Sequence, residues 1–154
     1  MLRKARIGDV TAMNWLRLQV RENMLSDPGR ITEAMTRQAI TAEGRGWVWE
    51  KDGEILGFSI ARDADPSIWA LFVLPGHEGR GIGGSLHDAA VDWLWSRGAT
   101  RIWLSTDPDT RAHRFYRDRG WQKTAVLSSG EVRLELDHRQ HRASVMTGFG
   151  QTQN

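Results

Sequence analysis

The sequence predicts one α/β (α+β) domain, with six to seven strands forming a single sheet and about four helices flanking it. Three observations carry that expectation. The chain has 154 residues with 40% hydrophobic content, the length and apolar share of one core. Strand-like runs alternate with stretches of helical spacing along it. One pair of runs flanks an Asp-Gly turn, and a nearly unbroken apolar run, 68–74, precedes a helix and a further strand.

Taken in order, residues 3–7 suit a short first strand. Asp9 is placed to cap a helix whose stripe is Met13, Leu16, Val20 and Met24, ending before Pro28. A second helix puts Ile31, Met35 and Ala39 on one stripe and stops at Gly44 and Gly46. Residues 47–50 and 54–62 flank Lys51-Asp52-Gly53 as an antiparallel hairpin. The run 68–74 has the character of a central strand covered on both faces, and Pro75-Gly76 ends it. A helix over 81–97 buries Ile82, Leu86, Ala90, Trp93 and Leu94, with Gly98 past its end. A strand at 101–105 follows, then a helix capped by Thr106 or Asp107, with Pro108 in its first turn, running to about Arg119. Strands at 121–126 and 131–136 close the sheet, so the domain is expected over 1–136. Residues 137–154 lose periodicity and read as a polar tail, either disordered or ordered against a second subunit, which leaves a homodimer open.

Composition narrows the chemistry. Without cysteine there is no disulfide scaffold, thiolate metal site or cysteine nucleophile. No apolar run approaches the roughly 18 to 20 residues of a membrane span. Behind Met1 comes Leu-Arg-Lys-Ala-Arg rather than a secretory signal, so a cytoplasmic location is expected. The net charge is +2, a weak pointer to nucleic acid, which is not an expected partner. Basic residues are almost all arginine, whose planar, permanently charged donors suit phosphate. Of the eight tryptophans, most fall on core stripes, while Trp15 and Trp95 fall off them and suit a pocket or an interface.

The most informative stretch is Gly76-His77-Glu78-Gly79-Arg80-Gly81-Ile82-Gly83-Gly84-Ser85, between the apolar strand and the long helix. Glycines admit close approach of a ligand to the main chain, and a helix start offers unpaired N–H groups. Three other readings compete. A plain connecting turn needs fewer glycines. The triphosphate-binding loop needs a lysine that this stretch lacks. The dinucleotide fingerprint Gly79-x-Gly81-x-x-Gly84 even has Asp107 roughly 20 residues on, but several strands and a hairpin precede it, where that fold begins with its own strand.

In the register Glu78-Gly79-Arg80-Gly81-Ile82-Gly83, the loop resembles the acyl-CoA pyrophosphate loop of the GNAT superfamily of N-acyltransferases, Gln/Arg-x-x-Gly-x-Gly/Ala. Glu78 departs from the usual first residue. The opening Arg3-Lys4-Ala5-Arg6-Ile7-Gly8-Asp9, the strand end Phe72-Val73-Leu74-Pro75 and the segment Arg111 through Trp121 are also similar to that family, in its order. The resemblance implies a mixed, mostly antiparallel sheet whose two central strands run parallel and then splay. It implies acetyl-CoA as cosubstrate, with the backbone of Leu71, Phe72 and Val73 along the pantetheine arm and Gly79, Arg80, Gly81, Ile82, Gly83 and Gly84 around the diphosphate. Asp109 stands where the family tends to place a coenzyme-contacting asparagine. Tyr116 matches the family's tyrosine near the coenzyme sulfur and is assigned general acid, its phenol protonated at neutral pH.

By the same resemblance the acceptor is a primary amine of a small molecule or peptide, bound near the first two helices and the last strand pair. The family's strand carboxylates are missing from Trp69-Ala70-Leu71 and Trp103-Leu104-Ser105, so no base is assigned. Glu22, Asp63 and Asp65 read as solvated charges, His113 as a packing or surface residue, and Arg80, Arg114 and Arg117 as candidates for reaching phosphates. Two alternatives stay open: a catalytically idle acyl-CoA-binding module and an RNA-directed acetyltransferase.

Overall fold

A computed structural model describes residues 1–20 and 31–139 of the chain. Seven strands form one mixed sheet in the order β1-β2-β3-β4-β5-β7-β6. β1 (Leu2–Lys4), β2 (Gly44–Lys51), β3 (Glu54–Arg62) and β4 (Ser67–Val73) are antiparallel neighbours. β5 (Arg101–Thr106) runs parallel to β4, and β7 (Val132–Asp137) pairs antiparallel with β5 and with β6 (Gln122–Val126). Between β2 and β3, Asp52 (φ 52°) and Gly53 (φ 79°) are both left-handed, the backbone of a two-residue turn that matches strand twist.

Helices cover both faces. α1 (Val10–Gln19), α2 (Glu33–Gln38) and the π-turn that follows α2 bury Val10, Met13, Leu16, Ala39 and Ile40 against Val48, Phe58, Ile60 and Ala70. On the other face α3 (Ile82–Ser96) and α4 (Arg111–Asp118) pack Leu86, Ala90, Leu94 and Tyr116 against Leu56, Ile68, Ile102, Leu104 and Leu134. α3 sits so close to β3 that a Cβ added at Gly57 would lie 2.9 Å from Leu86 and 3.0 Å from Ile82.

Several expectations are corrected. β1 ends at Lys4, because Ile7–Asp9 turn into a 3-10 helix. Asp9 does not cap α1; its carboxylate accepts from the Arg6 N–H at 2.8 Å and holds the Arg3 guanidinium through two 2.9 Å hydrogen bonds. α1 stops at Gln19, leaving Val20 outside it, while Met24 and Pro28 lie outside the described residues. On α2 the apolar stripe is out of phase: Met35 is exposed and Thr36 is buried, its hydroxyl donating to Asn14 Oδ1 at 2.6 Å. The helix then closes through a π-turn, Ala39–Glu43, and Gly44 already belongs to β2. α4 begins later than expected, with Thr110 as its cap, because Asp109 adopts a left-handed backbone (φ 60°) that a helix excludes. Trp15 is exposed, whereas Trp47 and Trp121 are buried.

The last strand runs past residue 136. Asp137 closes β7, the His138 N–H donates to the Thr100 carbonyl, and the His138 ring stacks on Trp95 at 4.6 Å. Residues 140–154 lie outside the described ones. Among the described residues no helix is long and apolar enough to cross a membrane.

Candidate active site

β4 positions the site. It pairs with β3 along its whole length, but with β5 the ladder has one rung, Ser67 opposite Trp103, beside the Trp103 N–H bond to the Pro66 carbonyl at 3.2 Å. Beyond that rung the two strands part, and the β5-facing edge of β4 loses its strand partner. A cleft of about 830 Å³ opens there, lined by Leu71, Phe72 and Val73, by the glycine loop, by one face of α4 and by Gln19 and Val20 at the end of α1.

The loop takes its shape from glycines. Gly76, Gly79 and Gly81 have φ of 94°, 78° and 83°, and no atom would meet a Cβ at any of them, so glycine is needed for the backbone angle rather than for space. Gly81 precedes α3 without any side-chain cap, leaving the first-turn N–H groups of Ile82, Gly83 and Gly84 without intrahelical partners. Gly83 and Gly84 lie inside the helix. A Cβ at Gly83 would make ordinary contacts, whereas one at Gly84 would lie 2.7 Å from Arg119 Nη2.

Charge in the cleft comes from three side chains. The Arg119 guanidinium lies 3.9 Å from the centre of the Phe115 ring and against Gly84. Arg111 approaches the Glu78 carboxylate at 3.5 Å. Glu78 in turn accepts from the Gly76 N–H at 2.9 Å, and its own backbone N–H, then that of Gly76, holds its carboxyl below the usual range. Two cations and one carboxylate remain, an arrangement suited to a polyanion at the loop.

Tyr116 lines the cleft from α4 while being 5% exposed, and burial raises its phenol pKa above the ordinary value, so it is protonated at neutral pH. Its ring meets Phe115 at 5.2 Å and Trp121 at 5.6 Å, both edge-on. Behind them the buried His87 accepts the Trp121 Nε1–H at Nε2 (3.0 Å), which leaves the ring proton on Nδ1, 2.9 Å from Asp88 Oδ1. This aromatic cluster fixes the phenol in place.

Leu71, Phe72, Val73, Gly79, Gly81, Gly83, Gly84 and Tyr116 all line the one cleft. Two other expected cofactor residues, Arg80 and Asp109, lie outside its lining, and Ile82 offers only its backbone N–H at the start of α3. Arg80 is exposed on the loop, Ile82 turns its side chain into the core, and Asp109 is exposed, its N–H donating to His113 Nδ1 at 3.2 Å. His113 is a buried packing residue, kept neutral by desolvation and then by the charge of Arg117. Arg114 and Arg117 are exposed on the wrong face of α4, and Arg111 and Arg119 line the cleft instead. For Arg119 the signal is present in the helical phase: residues 112, 115, 116 and 119 lie on one face at spacings of three and four. Asp63 is paired with Arg97 at 2.9 Å.

Fold and cleft together define an α/β protein whose split sheet and glycine loop border one long cleft. The chain belongs to the acetyltransferase (GNAT) family, whose profile matches residues 11–121. It is 32% identical over 126 residues to the mycothiol acetyltransferase of Beutenbergia cavernae, covering 73% of this chain and 41% of that protein. It is 34% identical over 79 residues to an uncharacterized N-acetyltransferase of Mycobacterium tuberculosis, covering 46% of this chain and 48% of the relative. The chain thus spans about half the length of the curated relatives it matches. Among solved structures, the PaiA N-acetyltransferase of Thermoplasma acidophilum in complex with coenzyme A superposes with a TM-score of 0.77 at 14% identity, covering 90% of this chain and 98% of that one. That likeness supports the fold.

Proposed function

We propose that this chain transfers an acetyl group from acetyl-CoA to the primary amine of a small molecule or peptide. The observation that carries the reading is the single cleft bounded by the glycine loop, the unpaired edge of β4 and a protonated tyrosine. Loop and first-turn N–H groups of α3, with Arg111 and Arg119, hold the diphosphate. The β4 edge supplies main-chain partners for the amides of the pantetheine arm. The neutral amine attacks the thioester carbonyl carbon, the C–S bond breaks, and the departing thiolate takes the Tyr116 proton. The nitrogen of the new amide gives its proton to solvent, and the Tyr116 phenolate takes one back from solvent, so that the phenol is restored. The family assignment and the acetyltransferase relatives support this reading.

A second reading, an idle acyl-CoA-binding module, draws on the carboxylates: the one lining the cleft is Glu78, and it is held by the loop and Arg111. Release of free thiol from acetyl-CoA across a panel of amines separates the two. The enzyme reading expects turnover with at least one amine, and Tyr116→Phe lowering kcat by roughly 10²-fold or more with acetyl-CoA affinity retained. Tight coenzyme binding with no turnover on any amine sinks it.

A further inference from the structure

β4 borders two cavities. Beside the large cleft, Ser67, Ile68 and Trp69 line a smaller one of about 250 Å³, walled by Trp103 and Ser105 of β5, by Arg62 of β3 with its ion-pair partner Glu43, and by the exposed Asp65. Ser67 and Trp103 form the last rung between the strands, so this cavity sits where the split begins. Trp69 and Leu71, one on each cavity, lie about 7 Å apart along the strand. The smaller cavity is therefore within reach of a group bound along the cleft.

Buried donors without acceptors mark this side of the sheet. Arg17, in the last turn of α1, is 8% exposed, and its guanidinium carbon lies 5.0 Å from the Phe72 ring, 5.1 Å from Trp69 and 5.9 Å from Phe58. Among the described residues its Nε and Nη2 are buried without a hydrogen-bond partner, and so is Trp103 Nε1 in the cavity wall. Nε and Nη2 form one edge of a guanidinium, and the same chain shows what that edge takes elsewhere. Arg62 gives both to Glu43 Oε1, and Arg97 gives both to Asp63 Oδ2. Burial lowers the Arg17 pKa to about 10, which leaves it cationic at neutral pH. A buried cation with an empty fork is costly, and an arriving carboxylate removes that cost. Trp69 joins the two places, since it lines the cavity and carries Arg17 on its ring.

We propose that Arg17 is the carboxylate anchor of the acceptor site, and that the acceptor amine is a small amino acid. The proposal rests on the acetyl-transfer reading and narrows it. The acid enters the cavity at Trp69, a small shift of that indole uncovers the Arg17 fork, and Trp103 Nε1 donates to the same ligand. A planar carboxylate matches the guanidinium edge with two parallel hydrogen bonds.

The test uses the full chain with acetyl-CoA, the twenty L-amino acids and their carboxamides, in the native protein and in Arg17→Leu. The variant exchanges a buried unpaired charge for an apolar side chain, a change that folded proteins tolerate. The expected result is at least one amino acid acetylated about 100-fold more efficiently than its carboxamide, with Arg17→Leu erasing that preference mainly through KM. Equal efficiency on acids and carboxamides, or a preference that survives in Arg17→Leu, would each overturn the proposal. Where no amine is turned over, the acetyl-transfer reading fails by itself. Calorimetric binding of the amino acids to the coenzyme-loaded protein then decides the role of Arg17, which is lost if no acid binds in an Arg17-dependent way.

Discussion

At Gly84 a missing side chain decides where a charge sits. The Arg119 guanidinium rests in the space a Cβ would take, and it is the flexible end of a long side chain, so Gly84→Ala displaces the arginine and spares the fold. The expected outcome is an unchanged thermal midpoint and a loss of coenzyme A affinity, about tenfold by calorimetry, matching that of Arg119→Ala. Neither residue's role could be read from composition. The sequence marks Arg119 only as the end of the final helix, and its place in the cleft depends on packing against Phe115 and on a glycine 35 residues earlier in the chain. Tyr116, by contrast, was legible through a resemblance that fixes its place in α4. Arg17 was not, because nothing local marks a charged residue for burial among three aromatic rings contributed by two strands.

At the scale of elements, legibility followed the source of each boundary. The β2–β3 hairpin was readable because Asp52-Gly53 states its own backbone geometry. The start of α4 was not, because the left-handed conformation of Asp109 is imposed by its surroundings. The phase of α2 was missed because burial of Thr36 depends on Asn14 in another helix. The entry to α1 shows how such a long-range partner acts. Asp9 serves as the hub of an ion pair rather than as a helix cap, and the Arg3 guanidinium holds its carboxyl below the usual range. A depressed carboxyl stabilises the fold above its unfolded pKa, near 4, and that contribution disappears as pH falls through the folded value. Asp9→Asn is therefore expected to lower the thermal midpoint at pH 7 and to flatten its decline as pH falls below about 4, as followed by circular dichroism.

Taken whole, the molecule is two half-sheets, β1 to β4 and β5 to β6, that share α3 and a single rung of ladder. α3 reaches β3 at Gly57, where an added side chain would meet Ile82, Leu86 and the Phe72 carbonyl within 3.1 Å. Gly57→Val is expected to destabilise the protein by about 1–3 kcal/mol in denaturant unfolding, and to weaken coenzyme binding too, because Ile82 opens the helix whose first turn borders the cleft. The division of the sheet has a consequence for exchange with solvent. β4 lies in the middle of seven strands, yet past Ser67 one of its margins is as bare as that of an outermost strand. Backbone deuterium uptake at residues 71 and 73, whose N–H groups alternate with the β3-bonded ones of Phe72 and Leu74, should therefore run fast in the empty protein, and it should slow once a threaded cosubstrate takes the seat of the absent neighbour.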